Sequence, residues 1–350
     1  MRLDRAGTPF QVVGENIHAT RVVKRTGRLA AELEDGTLGV AFDDASGDRR
    51  VLPVHPAIVG GREFAAGKIK HVASAIRWGL DGDLHADLAA AYVRSLAARQ
   101  EDAGADWLDL NADEVAPESE VRAAAMAWLV EVLEPFARVP LAIDSSDVAV
   151  LAVGVATSRV PAGRLLINSA SVERPEVLDL AAASRSAVVL AASGRGGMPA
   201  DAEERVANAV ELVEAAVARG IAYDAMYVDP LVLPVAVEPD APLQVLEAAR
   251  RLRREYGEAI HLTGGLSNVS FGMPERRLLN DVFIDLAAEA GIGSGIIDPV
   301  ASDLGRVFAT DRSTEAYGLA ADLLLGRDPF GGAYVAAFRA GRLAEGVAAG

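Results

Sequence analysis

The sequence predicts a (β/α)8 barrel, and two of its features carry that prediction. Short apolar runs alternate with longer segments of helical spacing over most of the 350 residues. Apolar strands that alternate with amphipathic helices are typical of parallel βαβ units, in which helices cover both faces of the sheet. Eight such units in one domain of this length fit a closed barrel better than an open sheet.

The apolar runs are interpreted as the barrel strands. Each of them ends in, or leads directly into, a polar or glycine residue, as expected where a strand meets a loop. In chain order the predicted strands are Phe10–Glu15, Trp107–Asn111, Pro140–Asp144, Leu165–Ser169, Ala187–Ser193, Ala225–Asp229, Ala259–Leu266 and Gly295–Asp298.

Amphipathic spacing predicts helices between these strands, and the prolines and glycines at their ends agree with it. Pro175 and Pro274 lie near helix starts, where a missing N–H costs nothing. Gly104, Gly220 and Gly291 each close a helix shortly before a strand, as a glycine after a helix C-terminus commonly does. The clearest helices are predicted over Val121–Phe136, Asp201–Ala218, Leu243–Glu255 and Pro274–Ala290.

The whole chain, 1–350, is predicted to form one domain, but one connection is unusually long. Residues 22–80 follow the first strand, where a simple barrel needs only a short link, and the next helix is expected to begin near Asp83. Two turn sequences divide this segment, so 22–80 is interpreted as an inserted β-rich meander. Its predicted strands are Arg28–Leu33, Thr37–Phe42 and Arg49–Val54.

The end of the sequence predicts two helices that close the barrel. They are expected within 312–350, over Tyr317–Leu325 and Ala333–Leu343, with Gly326–Gly332 as the loop between them.

Composition excludes several classes of function. The net charge of −16 argues against nucleic acid and against an anionic membrane surface, because both need a basic face. The chain has no cysteine, which excludes disulfides, zinc–thiolate sites, iron–sulfur clusters and a thiol nucleophile. No apolar stretch predicts a membrane span or a secretory signal, so a cytoplasmic location is expected.

Polar residues recur where the predicted strands end, which is where the active site of such a barrel lies. Carboxylates and carboxamides in fixed planes suit a flat heterocycle rich in hydrogen-bond donors, such as a 2-amino-4-oxopterin. The alternative is a divalent cation, but no close Asp-x-Asp or histidine cluster concentrates charge here, and no metal is predicted. The residues concerned are Glu15, Asn16, Asp109, Asn111, Asp144, Asn168, Asp229, Asn268 and Asp298.

Six motifs, in order along the chain, resemble the methyltetrahydrofolate:corrinoid methyltransferases and the folate module of cobalamin-dependent methionine synthase. The most specific is Gly265-Leu266-Ser267-Asn268-Val269-Ser270-Phe271-Gly272, followed by Pro274-Glu275-Arg276-Arg277. The other five are Gly14-Glu15-Asn16, Leu108-Asp109-Leu110-Asn111, Ile143-Asp144-Ser145, Ile167-Asn168-Ser169 and Tyr227-Val228-Asp229-Pro230-Leu231.

The resemblance implies a methyltransferase of one-carbon metabolism that moves the N5-methyl group of methyltetrahydrofolate to or from a corrinoid. It implies that Asp144, Asn168 and Asp229 hold the pterin edge and that Asn268 reaches N5. Asn268 and Asp229 are then the catalytic, polarising groups. The remaining implied pterin-binding residues are Asp109 and Asn111, which line the floor, Glu15, and Arg276, near the mouth.

The same resemblance implies a corrinoid (cobalamin) cofactor carried by a partner protein, because this sequence contains no Asp-x-His-x-x-Gly corrinoid motif. It also implies a homodimer. For Arg276, pairing with Asp281 or Glu275 at the start of a helix is an equally good interpretation.

Some positions depart from the family pattern. Asp147 stands where the family often has asparagine, which would add negative charge near the pterin. Arg195, in a glycine-rich loop, could contact the folate tail or be solvated. Lys68, Lys70 and His71, in the insert, could meet a carboxylate tail or a partner.

Two alternative functions stay open. The first is a dihydropteroate synthase-like enzyme, which is disfavoured because that family uses a strand-seven lysine and no lysine follows Lys70. The second is a folate-binding protein without turnover.

Overall fold

All eight predicted strands are present, in the predicted order. The computed structural model describes residues 2–82 and 84–343. Its strands are β1 Arg2–Leu3, β2 Pro9–His18, β3 Val22–Lys24, β4 Ala30–Glu32, β5 Leu38–Asp43, β6 Arg49–Pro53, β7 Lys68–Lys70, β8 Trp107–Asn111, β9 Leu141–Asp144, β10 Leu165–Ala170, β11 Ala187–Ala191, β12 Met226–Asp229, β13 His261–Leu262 and β14 Ser294–Ile297.

Helices lie between these strands, close to the predicted bounds. They are α1 Pro56–Val59, α2 Arg62–Ala65, α3 His71–Asp81, α4 Ala86–Asp102, α5 Ser119–Leu133, α6 Val148–Thr157, α7 Glu176–Ser184, α8 Ala202–Ala218, α9 Ala241–Tyr256, α10 Arg276–Glu289, α11 Leu304–Ala309, α12 Glu315–Leu324 and α13 Gly332–Arg339. Short 3-10 helices cover Tyr223–Ala225, Leu266–Ser270 and Pro329–Gly331.

The chain divides into two compact units. The central unit is Gly14–Asn168, and the terminal unit combines Met1–Val13 with Ser169–Gly350. The chain passes from one unit to the other within β2 and again within β10.

In the central unit, strands β8, β9 and β10 are parallel neighbours. Their register aligns Asn111 with Asp144, and Asp144 with Asn168, so the last polar residues of three strands form one row. The residues before them, such as Leu108, Ile143 and Ile167, are fully buried, because both faces of a parallel sheet are covered. The polar row is therefore held on a rigid apolar base.

In the terminal unit, β11, β12 and β13 are parallel, and their register aligns Ala191 with Asp229. The predicted strand Ala259–Leu266 is shortened to His261–Leu262, because two glycines follow and the chain then turns into the 3-10 helix Leu266–Ser270. Gly265 still forms a parallel bridge to Ile296, at the end of β14.

The insert contains the predicted β-meander, a second pair of strands and helices. Strands β4, β5 and β6 pair antiparallel in sequence order, which confirms the three predicted strands. Strands β3 and β7 form a second antiparallel pair. The predicted β-rich segment 22–80 also contains helices α1, α2 and most of α3, which were not predicted. In α3 the buried residues Val72 and Ile76 are four positions apart, as on one face of a helix.

The helices end close to the glycines that were predicted to close them. Gly104, Gly220 and Gly291 all have positive φ, the backbone conformation for which glycine is favoured after a helix. Helices α12 and α13 occupy the two predicted closing positions. The expected helix start near Asp83 and the stretch 344–350 lie outside the residues that the structure describes. Among the helices described, none is both long and apolar enough to cross a membrane.

Candidate functional site

Asp144, at the end of β9, is the centre of a polar cluster in the central unit. The Asn111 side-chain amide donates a 2.9 Å hydrogen bond to Asp144 Oδ2. The amide orientation is fixed because Asn111 Oδ1 accepts from the backbone N–H of Asp113. His18 Nε2 lies 3.5 Å from the same Asp144 oxygen. His18 was not predicted as a site residue, although it lies three positions after Glu15 in the same strand.

Asp109, on β8, is buried beside Asp144. Only 1% of its surface is exposed, and the Asn168 side-chain amide donates to its Oδ1 over 3.4 Å. Burial raises the pKa of Asp109 well above its ordinary value, and the neighbouring Asp144 carboxylate raises it further. The structure thus brings Asn111, Asp144, Asn168 and Asp109 together, as predicted.

Glu15, on β2, belongs to the same surroundings. Its carboxylate pairs with Arg21, whose Nη2 lies 2.8 Å from Oε1, and its charge acts on Asp109. The neighbouring residue Asn16 donates its backbone N–H to the Gln100 side chain. Asp113 is a further carboxylate that was not predicted, and the hydroxyls of Ser145 and Ser146 donate to it.

Asp147 does not add an uncompensated charge, contrary to the expectation from the sequence. It caps the start of α6 by accepting from the Ala149 N–H, and Arg122 Nη2 lies 2.7 Å from its Oδ2. Hydrogen bonds from the Ser119 hydroxyl and then from Arg122 hold the pKa of Asp147 below its ordinary value. The motif comparison missed this pairing because Arg122 comes from the preceding helix.

In the terminal unit, Asp229 ends strand β12 and is 9% exposed. Its Oδ1 accepts a 2.7 Å hydrogen bond from the backbone N–H of Leu231. Burial raises the pKa of Asp229 to about 6, while the N–H groups of Leu231 and Gly265 and the charge of Arg205 act in the opposite direction. The carboxyl is therefore poised to titrate just below neutral pH.

Asn268 lies in the 3-10 helix Leu266–Ser270, beyond β13. A Cβ atom placed on Gly265 would come within 2.7 Å of Asn268 Nδ2, so the glycine makes room for this amide. Asp229 and Asn268 therefore both border Gly265, one through its N–H and the other through its missing side chain.

Arg276, the first residue of α10, supports the same loop. Its Nε donates to Ser270 Oγ over 3.0 Å, and its guanidinium stacks 4.3 Å above the Phe271 ring. Asp281, one of the two partners considered from helix position, pairs with Arg306. Arg276 is thus joined to the Asn268 loop, and its contact with a substrate stays a prediction.

Arg205, on α8, was also not predicted. Its side chain is 1% exposed and donates to the carbonyls of Pro199 and Asp201. Its positive charge acts on Asp229. Arginine in an amphipathic helix is usually solvent-facing, so the sequence offered no signal for this burial.

The other departures from the family pattern have local partners. Arg195 pairs with Glu211, and Lys70 pairs with Glu114 over 2.7 Å. His71 is buried against Tyr92, and burial lowers its pKa to about 3. His71 therefore cannot serve as a cation for a carboxylate tail, as the sequence had suggested. Lys68 is exposed.

A cavity of about 570 Å³ opens elsewhere in the terminal unit, at the beginnings of strands β2, β13 and β14. Gln11, Ile260 and Gly293 are among its lining residues, and none of the predicted pterin residues lines it. Within the described ranges, no group of three or more His, Asp or Glu side chains has the arrangement of a metal site.

Comparison with known families agrees with this arrangement. The model of the family described as "Pterin binding enzyme" matches residues 81–298. The methylcorrinoid:tetrahydrofolate methyltransferase of Eubacterium limosum is 30% identical over 259 residues, which are 72% of this chain and 89% of that protein. The methionine synthase of Mycobacterium leprae (strain TN) is 30% identical over 217 residues, 58% of this chain and only 17% of that protein.

Among solved structures, the dihydropteroate synthase of Xanthomonas albilineans is similar, with a TM-score of 0.50 and 23% identity. The alignment covers 65% of this chain and 86% of that chain. This likeness shows the fold and confirms the predicted (β/α)8 class.

Proposed function

Because the chain belongs to the family of pterin-binding enzymes, we propose that it transfers a methyl group between N5 of tetrahydrofolate and a corrinoid. The observation that carries this proposal is its 30% identity to a methylcorrinoid:tetrahydrofolate methyltransferase, 89% of which is aligned. The six motifs of that family lie at strand ends or in the loops that follow them, and three of their aspartates, Asp109, Asp144 and Asp229, are buried or half-buried.

The residue chemistry suits the pterin. A 2-amino-4-oxopterin offers an exocyclic NH2 and a ring N–H, which a carboxylate accepts with both oxygens. We assign this edge to Asp144, Asn168 and Asp229. Asp109 and Asn111 form the floor in this assignment, Glu15 is a further pterin-binding residue, and Arg276 holds the loop near the mouth.

The transfer step needs a group whose hydrogen bonding can adapt to the protonation state of N5. When the methyl group leaves methyltetrahydrofolate, the C–N bond breaks, N5 keeps the electron pair and takes up a proton; in the reverse direction N5 loses that proton. We assign Asn268 to N5, because a carboxamide can present its oxygen to an N–H and its NH2 to a bare nitrogen. Asp229 is assigned as the second polarising group.

The corrinoid supplies the cobalt that accepts or donates the methyl group. We place it on a partner corrinoid protein. The chain's own residues then bind and orient the folate and hold the proton at N5.

The test is an optical assay with the intact protein. Methyltetrahydrofolate and cob(I)alamin, used in place of the corrinoid protein, are mixed with the chain, and formation of the methylcobalamin spectrum is followed. We expect the wild type to form methylcobalamin and Asn268→Ala to form none. Folate binding in calorimetry without any spectral change would instead favour a folate-binding protein without turnover.

We also propose that the chain forms one domain, acts as a homodimer and works in the cytoplasm. The absence of cysteine fits a reducing compartment. A single cooperative unfolding transition and a dimer mass in analytical ultracentrifugation would support the first two proposals. A monomer mass at micromolar concentration would contradict the second.

A further inference from the structure

The insert contacts the β8 loop, which is the segment 112–118 between β8 and α5. Arg77, on helix α3 of the insert, donates from Nη2 to the carbonyl oxygen of Val115 over 2.6 Å. Lys70, at the end of β7, pairs with Glu114, with 2.7 Å between Nζ and Oε2. Two cationic side chains of the insert therefore bind neighbouring residues of the β8 loop.

Asp113, in the β8 loop, is bonded to the polar cluster around Asp144 in two ways. Its backbone N–H donates to Asn111 Oδ1 over 3.0 Å, and the Asn111 amide in turn donates to Asp144 Oδ2. Its carboxylate accepts from the Ser145 hydroxyl and, over 2.8 Å each, from the N–H and the hydroxyl of Ser146. Ser145 and Ser146 directly follow Asp144 in the chain. Asp113 therefore fixes both the amide that donates to Asp144 and the backbone that carries this aspartate.

The hydrogen bonds of Arg77 are few for a half-buried guanidinium. Among the residues that the structure describes, the Val115 carbonyl is its one hydrogen-bond acceptor, and Nε is buried without any. A buried donor without a partner lowers stability. Stability alone therefore does not account for an arginine at this position, whereas the placement of the β8 loop does. Loops are the more mobile parts of a fold, and ligand-binding side chains need support from neighbouring elements to keep their geometry.

We propose that the insert positions the pterin-binding residues of the central unit. Arg77 and Lys70 hold the β8 loop, and Asp113 passes that placement on to Asn111 and Asp144. Arg77, Lys70 and Asp113 are thus positioning residues, which act through other side chains. The identity of the ligand rests on the proposed function. The insert itself lies outside the part of the chain that the pterin-binding family model matches, which begins at residue 81.

The first test compares two arginines of the insert by calorimetry with methyltetrahydrofolate. Arg77→Met keeps the apolar stem and removes the donor to Val115, so the dissociation constant should rise about fivefold. The matched control is Arg25→Met, because Arg25 donates to the Phe64 carbonyl within the insert. This control should bind folate like the wild type. Wild-type affinity in Arg77→Met would overturn the proposal.

A second comparison separates positioning from a general loss of stability. If Arg77 acts through Asp144, Arg77→Met should change the folate dissociation constant less than about 1.5-fold when Asp144→Asn is already present. In the methylcobalamin assay, kcat of Arg77→Met at saturating folate should fall less than about twofold, because Asn268 is not part of this network. An undiminished effect of Arg77→Met in the Asp144→Asn background would show that the arginine acts elsewhere, and the proposal would be wrong.

Hydrogen exchange tests the connection without any ligand. The amide hydrogens of Asp113 and Ser146 are bonded to Asn111 Oδ1 and Asp113 Oδ2. Both should exchange faster in Arg77→Met than in the wild type or in Arg25→Met. Equal exchange rates in the three proteins would contradict the proposal, whether or not folate binds. A wild-type protein that binds no folate would instead count against the proposed function, and the exchange rates would still decide whether the insert holds the β8 loop.

Discussion

Asp229 in the terminal unit and Asp109 in the central unit are both buried, but the groups around the two carboxyls differ in charge. Asp229 accepts from the backbone N–H groups of Leu231 and Gly265 and feels the positive charge of Arg205. Asp109 accepts a hydrogen bond from the Asn168 side-chain amide, and its carboxyl neighbours are Asp144 and Glu15. Burial raises both pKa values, to about 6 for Asp229 and well above the ordinary value for Asp109.

The comparison teaches that burial alone does not decide the charge of a carboxyl group. At Asp229, two backbone N–H groups and the charge of Arg205 lower the pKa against the effect of burial. At Asp109, burial and the neighbouring Asp144 carboxylate both raise the pKa. Four predictions test this difference between the two aspartates.

The largest effect is expected for Asp229→Asn. The amide cannot accept two pterin hydrogen bonds, and the loss of charge-assisted bonds should weaken methyltetrahydrofolate binding by about a hundredfold. Calorimetry measures this directly. The matched control is Asp322→Asn, an aspartate on α12 that pairs with Arg327, and its affinity should equal that of the wild type. Retention of wild-type affinity by Asp229→Asn would remove Asp229 from the pterin site.

The second prediction concerns pH. Because the pKa of Asp229 is about 6, its carboxylate is lost as the pH falls through that value. Folate binding should then weaken about tenfold between pH 7 and pH 5, with little change between pH 7 and pH 8. In Asp229→Asn this part of the profile should be flat. If the variant keeps the full pH dependence, another group is responsible for it.

The third prediction separates binding from transfer. In Gly265→Ala the new Cβ would lie 2.7 Å from Asn268 Nδ2, so the flexible amide must move. We expect kcat to fall about fivefold while the folate dissociation constant changes less than twofold. Gly318→Ala, in helix α12 with no atom near the added Cβ, is the control and should keep wild-type kcat. An unchanged kcat in Gly265→Ala would argue against a role of Asn268 at N5.

The sequence supplied the strand order and nearly all the residues of both clusters, because the motifs lie at strand ends and each polar residue follows a readable apolar run. Asp109, Asn111, Asp144 and Asn168 could be predicted to lie together for this reason. The sequence did not indicate which side chains from other helices would contact these residues. Arg122 beside Asp147 and the buried Arg205 depend on how helices pack, which local periodicity does not encode. The raised pKa of Asp109 likewise depends on burial and on Asp144, a neighbour from another strand.

The remaining prediction concerns the free energy of unfolding and its dependence on pH at the two aspartates. For each, the raised pKa means that the folded state binds a proton which the unfolded chain has released. The stability contributed by that proton is complete below the ordinary aspartate pKa, and it is lost as the pH rises through the folded-state pKa. For Asp229, from an ordinary value of 3.8 to about 6, the loss amounts to about 3 kcal/mol at most.

The measurement is the free energy of unfolding from urea titrations, for the wild type and for Asp229→Asn and Asp109→Asn across pH. The difference between the wild type and Asp229→Asn should decline as the pH rises from about 4 to about 6 and then stay constant. For Asp109→Asn the difference should also decline as the pH rises above the ordinary aspartate pKa, because burial and then the Asp144 carboxylate raise the pKa of Asp109. A difference that stays constant across the whole pH range in either variant would contradict the raised pKa of that aspartate.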